Sequence, residues 1–581
     1  MKYILTNKEI KSNYGAEVLY ARGVKEIDEF LYPSPIQLQD ATALDNIQKA
    51  AHVVNYIVKV NGRIALIVDC DVDGYTSSAI IYQYLKRLNP DLEIDYYLHE
   101  GKQHGLEDMM DNLEGKDYSL LIIPDAGSND SHYIDKLNIP TIVIDHHILE
   151  DEHTTHLMTL VNNQTSPNYI NKNLSGAGMA YQFCTVIDEV ADVHYANDFI
   201  DLAALGVCGD MMSGLEPENQ YLWREGFSNV KNFFFQTLMR KQAYSITSQV
   251  APSDKEIMDK LTPISVAFYI VPLINAMIRV GTMAEKERLF LAFIDGERLV
   301  PCNKRGAKGT MEKVAIESTR ECTNAKKHQD DQKKDVAEAL EIKIHKHGLL
   351  DNKVLFIRLD DDDIFPSELN GLVCMQLSQK YKRPTILARL NSEGFIRGSA
   401  RGLNKSEITS FKDFLGESGM FEYTIGHDNA FGISISNSKL SDFHNYANEK
   451  LANVNFGENV YEVQFVRRAV DGDIADITFD LDKYNKVWSQ QNDTPLIVVK
   501  DIFVNKEDIK VIGKNKDTIR FEKNGITYIK FFGKALIEQL QQYDEMKIDV
   551  VGKTAVNNWQ GRTTPQILIE DLEVEDARLA F

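Results

Sequence analysis

Asp69, Asp71 and Asp73 alternate in DCDVDG, Asp125 stands in PDAGSND, and Asp145, His146 and His147 are consecutive in VIDHHI. Each group directly follows a short apolar run. Carboxylates crowded into one place repel one another unless cations neutralise them. Aspartate and histidine without thiolate suit Mn2+, Mg2+ or Zn2+, and a carboxylate-rich set able to hold two ions favours Mn2+ or Mg2+. Two ions about 3.5–4 Å apart activate a water and stabilise the entering and leaving oxygens of an in-line phosphoryl displacement. The expected chemistry is phosphoester hydrolysis. A calcium loop is the competing reading of D-x-D-x-D-G, but Ile80 stands where its twelfth-position glutamate is required.

These side chains converge only if the apolar runs before them are parallel neighbours whose carboxyl ends face one crevice. The first 230 or so residues support that arrangement, because strand-like runs (RIALIV, YSLLIIP, IPTIVI) alternate with helical patterns. TSSAIIYQYLKRL has helical spacing, Gly74 suits a sharp turn after Asp73, and YTSSA is placed to cap the following helix. Residues 175–193 read as a helix, and DLAALGVCGDMM closes the series. His104 and Gly105 read as a structural loop beside the cleft.

Four domains are expected in this α/β chain: 1–235 with a parallel sheet, 236–345 helical and ending in a long charged connecting helix, a second α/β unit at 346–450, and an alternating-strand region at 455–581 suited to a small closed or half-closed β-barrel. Its 581 residues are too many for one core. A net charge of −22 argues against an all-over nucleic-acid coat while permitting a local basic groove. The six cysteines form no C-x-x-C pair, so neither a disulfide framework nor a zinc knuckle is indicated. With no signal-peptide-like start and its longest apolar stretch broken by prolines, the chain is expected in the cytoplasm.

In this order, DCDVDG, PDAGSND, DHH and GVCGDMM, which carries Asp210, resemble the four motifs of the DHH phosphoesterase superfamily. Over nearly the whole chain the pattern is similar to the RecJ type of single-strand-specific exonuclease. VPLINAMIRVGTM resembles its P-x-I-N-A-x-G-R-M segment, RGSARG and IGHDNAFG the two motifs of a DHHA1 domain, and NNWQGRTTPQILIEDLEV the end of an OB-fold. Ile278, Gly402, Ile425 and Phe431 depart from those motifs.

The resemblance implies metal ligation by Asp71, Asp73, Asp125, His146 and Asp210. Asp69 and His147 would ligate or hold the cluster, and Asp145 would orient a histidine. It implies phosphate contacts from Arg279, Gly398, Ser399, Arg401 and His427, and base or backbone contacts from Trp559 and Arg562 in an OB domain, where plain packing is the alternative for Trp559. It further implies two divalent ions, Mn2+ or Mg2+, a strand threaded between the two α/β domains and digested 5′ to 3′ in DNA repair, recombination or replication, and a monomer working beside a helicase or single-strand-binding protein without a membrane. The competing functions are a DHH-type hydrolase of short oligonucleotides or cyclic dinucleotides, which usually ends with its second domain, and a non-catalytic replication scaffold, expected to lose ligands. Relaxed motifs and an acidic chain lean toward a phage-encoded version.

Overall fold

A computed structural model describes residues 1–6, 10–101, 103–150, 153, 155–307, 309–360, 365, 367–403, 406–456, 459–559 and 562–577, with the side chains of 368, 535 and 559 outside the description. The chain forms two compact units, one of residues 22–327 with 484–494 and the other of residues 1–21, 328–483 and 495–581.

In the first unit, β1 (Ile64–Val68), β2 (Ile94–Leu98), β3 (Leu120–Pro124), β4 (Thr141–Asp145) and β5 (Met158–Asn162) form a parallel sheet in the order β2-β1-β3-β4-β5. Alternation explains why β1 and β3 are apolar at every position and β4 at its three central ones. Ile64, Leu66 and Val68 enter one core with the helices, while Ala65 and Ile67 enter a second core on the opposite face with Leu106, Met109 and Ile134. The order reverses between β1 and β3, and at such a switch point the carboxyl ends of the strands open a crevice.

Three helices close on that crevice: α1 (Val72–Leu88), α2 (Gly176–Ala191) and α3 (Ile200–Gly209). α1 starts earlier than its spacing predicts. Its cap is Asp71, whose carboxylate accepts from the Gly74 N–H at 3.0 Å, and Gly74 lies inside the first turn rather than in a preceding one. YTSSA is therefore helix body and not a cap.

Pro263–Val280 is long and apolar enough to cross a membrane by composition, but half of it is buried and it comprises two helices, Pro263–Tyr269 and α4 (Val271–Val280). The region expected to be all helix also holds a hairpin, Leu299–Pro301 against Met311–Lys313. The charged helix, α5 (Val314–Lys346), runs 33 residues and begins well before its charged stretch.

The second unit contains a five-stranded sheet of β6 (Leu355–Leu359), β7 (Thr385–Leu390), β8 (Phe395–Arg401), β9 (Phe421–His427) and β10 (Ala430–Ser436), ordered β9-β10-β8-β7-β6, with α6 (Asn370–Tyr381) packed on one face. A further sheet has seven strands: β11 (Phe465–Arg468), β12 (Leu496–Asn505), β13 (Lys510–Ile512), β14 (Thr518–Lys523), β15 (Ile526–Lys530), β16 (Glu545–Trp559) and β17 (Arg562–Asp576). Its order, β11-β12-β16-β17-β15-β14-β13, does not return to its first strand among the described residues, so the barrel is not closed there. Helices at Ile474–Asp482 and Lys534–Leu540 interrupt what alternation predicted as strands alone.

One boundary differs from expectation at the very start. Lys2–Leu5 pairs in parallel with Val460–Val463, so residues 1–21 group with the second unit and not with the first domain. A strand whose partner lies some 458 residues away carries no local signal of where it will pair.

Candidate functional site

β1, β3 and β4 deliver their acids to one place, as the spacing predicts. Ligand atoms of Asp69, Asp71 and Asp125 lie within 4.8 Å of one another, and so do those of Asp73, His146 and Asp210. His146 Nε2 joins the two sets, 3.1 Å from Asp125 Oδ1, 3.5 Å from Asp210 Oδ2 and 3.9 Å from Asp73 Oδ2.

The surrounding elements hold these groups from behind. Asp73 receives the Ser175 hydroxyl at 2.8 Å and the Gly176 and Ala177 N–H groups at 2.6 and 3.0 Å, so the amino end of α2 fixes its carboxylate. Asp125 sits at φ 67°, a left-handed conformation that costs a non-glycine residue of order 1–3 kcal/mol and is retained where surroundings impose it. A methyl on Gly176 would lie 2.4 Å from the Asp125 carboxylate, and one on Gly206 of α3 would lie 2.4 Å from Asp73 Oδ1. Bare backbone at those two positions lets both helices close on the acids, and Asp210 follows directly from α3.

Asp145 does not face the cluster with free oxygens. Oδ1 accepts from the backbone N–H of His146 (2.7 Å) and His147 (3.2 Å) and from His147 Nδ1 (2.8 Å), and Oδ2 accepts from Ser128 N–H at 3.0 Å. This carboxylate organises the histidine turn.

Burial foremost, then the charges of Asp73 and Asp71, hold Asp125 and Asp210 well above the usual carboxylate range, and burial with Asp69 and Asp73 pushes Asp71 up to about 6. Burial also pushes Asp145 up, but the hydrogen bond and charge of His147 outweigh it and hold that carboxyl low. Burial likewise opposes the charged His147 ring, yet Asp145 lifts it to about 9, whereas burial and the His147 charge lower His146.

The cluster fits divalent metal. Asp69 Oδ1, Asp125 Oδ1 and His146 Nε2 are buried with no hydrogen-bond partner. Buried acceptors that converge without a donor are costly unless a cation lies between them. Oxygen and imidazole donors without thiolate match Mn2+ or Mg2+.

One histidine has a different role from the one expected of it, and another was missed. His104 is no mere structural loop: its Nδ1 is 2.7 Å from Asp69 Oδ2, and that bond raises the imidazole to about 11. Buried His99 bonds Asp108 through Nδ1 at 2.9 Å and turns Nε2 toward Asp69 Oδ1 at 3.9 Å. Their only signal was position after a strand, in YYLHEGKQHG.

In the second unit, register puts Ser399 and Arg401 of β8 on one face with Gly432 and Ala430 of β10 and with His427 of β9. Arg401 donates to the Ala400 carbonyl at 2.7 Å, and a methyl on Gly371 at the start of α6 would overlap its guanidinium. A helix amino end beside an arginine is a ready site for an anion. Gly398 has a structural reason of its own, since a methyl there would sit 2.2 Å from the Leu387 carbonyl oxygen.

The departures from motif are accommodated by packing or exposure. Ile278 is buried, Phe431 packs on Phe411 in the sheet's core with centroids 5.7 Å apart, and Ile425 is 62% exposed. Arg279 lies in the last turn of α4 in the first unit. Exposed Arg562 pairs in register with Trp559, whose side chain is outside the described residues.

Residues 63–207 match the DHH family, N-terminal domain, and residues 473–571 match the RecJ OB domain. Over 574 residues the chain is 36% identical to YorK, named as a single-strand DNA-specific exonuclease derived from the SPbeta prophage in Bacillus subtilis (strain 168), covering 96% of each chain. It is 23% identical over 586 residues to the single-stranded-DNA-specific exonuclease RecJ of the same organism, covering 97% of this chain and 68% of that one. The crystal structure of RecJ in complex with Mn2+ from Thermus thermophilus matches with a TM-score of 0.71 at 20% identity, over 97% of this chain and 76% of that one, a likeness of fold.

Proposed function

This chain belongs to the RecJ-like family of single-strand DNA-specific exonucleases, which carry a DHH domain and an OB domain, and from that premise we propose that it is a metal-dependent exonuclease digesting single-stranded DNA from its 5′ end. The observation that carries the reading is the meeting of Asp69, Asp71, Asp73, Asp125, His146 and Asp210 at the switch point, with buried acceptors left unpaired.

Two divalent ions, Mn2+ or Mg2+, would be held by Asp69, Asp71 and Asp125 on one side and Asp73, His146 and Asp210 on the other. When bound, such ions supply Lewis acidity to an attacking water and to the phosphate oxygens. The chain's own residues do the positioning. Asp73 is fixed by α2, Asp145 sets the orientation of His147 and the backbone of His146, and His104 and His99 bracket Asp69. Ser399, Arg401 and His427 would take phosphate oxygens of the strand, with Arg279 as a further phosphate contact and Trp559 and Arg562 gripping DNA from the OB domain. An enzyme with this substrate works inside the cell that holds it, beside a helicase or single-strand-binding protein.

The OB domain favours a polymer over short oligonucleotides or cyclic dinucleotides, and the intact donor set disfavours a scaffold. Digestion of single strands labelled at either end, with Mn2+, Mg2+ or chelator and beside Asp125→Ala, tests all three. Metal-dependent release of the 5′ label as mononucleotide, absent in the variant, supports the exonuclease. Hydrolysis of dinucleotides alone would replace it with the small-substrate enzyme, and activity on neither would leave the scaffold.

A further inference from the structure

The outer meander of the seven-stranded sheet is basic in an acidic chain. Residues 509–534 carry seven lysines and arginines against two acids, in a protein whose net charge is −22. Lys510, Lys514, Lys516 and Lys534 are exposed and make no ion pair among the described residues. Simple solubility does not call for this local reversal of sign, whereas phosphate binding does.

Two aromatic rings stand in the midst of these charges. Phe531 is 51% and Phe532 87% exposed, directly after β15. Phe532 has φ 55°, the left-handed region where a large aromatic side chain is disfavoured and glycine or asparagine is usual. Neither core packing nor backbone preference accounts for phenylalanine there. The two loops are joined, because Gly533 N–H donates to the Asp517 carbonyl at 2.6 Å and so holds the aromatic turn against the Lys514–Lys516 turn.

We propose that Phe531 and Phe532 form a base-stacking platform for single-stranded DNA, with Lys514, Lys516 and Lys534 taking the phosphates that flank the stacked bases. The subsite rests on the exonuclease reading and deepens it, adding on this meander a second grip of the OB domain beside that of the Trp559–Arg562 hairpin end. Every base offers a π-face, so the platform is sequence-tolerant, as a digesting enzyme requires, and lysines supply charge without fixing register.

The test is anisotropy of a labelled dT oligomer and of an otherwise identical abasic oligomer, bound to the full chain in EDTA so that neither is cut. Phe531→Ala/Phe532→Ala should weaken dT binding about tenfold or more and leave abasic binding unchanged, while Lys514→Ala/Lys516→Ala should weaken both and flatten the salt dependence. Phe532→Gly separates folding from binding, since it removes the backbone strain and should raise the melting temperature while lowering dT affinity. Equal dT binding by the aromatic variant and the wild type would overturn the platform, including the case where an apolar peptide docks there. Equal losses on dT and abasic strands would overturn stacking. A wild-type chain that binds neither oligomer would sink the exonuclease reading itself.

Discussion

At the scale of single residues, Asp125 and Asp71 are separable by experiment. Asn tolerates the left-handed backbone that Asp125 adopts at φ 67°, and it removes a buried carboxyl that burial and the Asp73 and Asp71 charges raise, so Asp125→Asn should fold with a metal-free melting temperature at pH 7.5 no lower than that of wild type. It should still lose metal-dependent hydrolysis by about three orders of magnitude or more. Asp71 makes a different prediction through its proton. Its folded-state pKa is raised from 3.8 to about 6, so the stability it contributes is present below about pH 4 and is lost as pH rises through 6. Asparagine also caps helices well. In EDTA at pH 7.5, Asp71→Asn should therefore be more stable than wild type by about 3 kcal/mol, with most of the advantage gone at pH 4. Thermal melts at the two pH values check the sign. A variant less stable than wild type at pH 7.5 would mean that the carboxylate stabilises the metal-free fold.

Among the elements, the amino end of α2 does most to shape the site. Its Gly176 N–H holds Asp73, and its missing side chain makes room for Asp125. Helix propensity alone favours Gly176→Ala by up to about 1 kcal/mol. The added methyl would nevertheless push the Asp125 carboxylate out of place. The variant should fold, and Mn2+ should no longer raise its melting temperature as it does for wild type. Calorimetry with and without the ion distinguishes this from simple misfolding. SGAG was legible as the start of a helix but not as the brace for an aspartate 102 residues earlier, because only packing brings α2 against α1.

For the whole molecule, the metal-binding cluster belongs entirely to the unit of residues 22–327 with 484–494. Trp223 and Trp488, both buried, belong to the same unit, and Trp559 to the other. A ligand that binds the folded form stabilises it by mass action, about 2.7 kcal/mol at a hundredfold excess over Kd. Mn2+ should therefore raise the midpoint followed by tryptophan emission, which reports chiefly on the first unit. A second calorimetric transition, if resolved, should stay where it is. A shift of both transitions would show that metal occupancy is felt across the chain.

Much of this was written locally. Strand-then-acid spacing announced the metal chemistry, since a strand's carboxyl end is where its last side chains leave the core, and DCDVDG, PDAG and DHH each arrived at the cluster, whereas Asp210 follows a helix and was pointed to only by the resemblance of GVCGDMM to a family motif. Helical and alternating periodicities located the units because burial repeats with the backbone's own period. Other features depended on contacts between distant segments. The grip of His104 on Asp69, the methyl-free clearances at Gly176 and Gly206, the register aligning Arg401 with Ala430 and His427, and the pairing of Lys2–Leu5 with Val460–Val463 all join segments with no shared local pattern. A sequence displays which side chains a strand end will present, but which neighbours meet them is decided only when the sheets and helices pack.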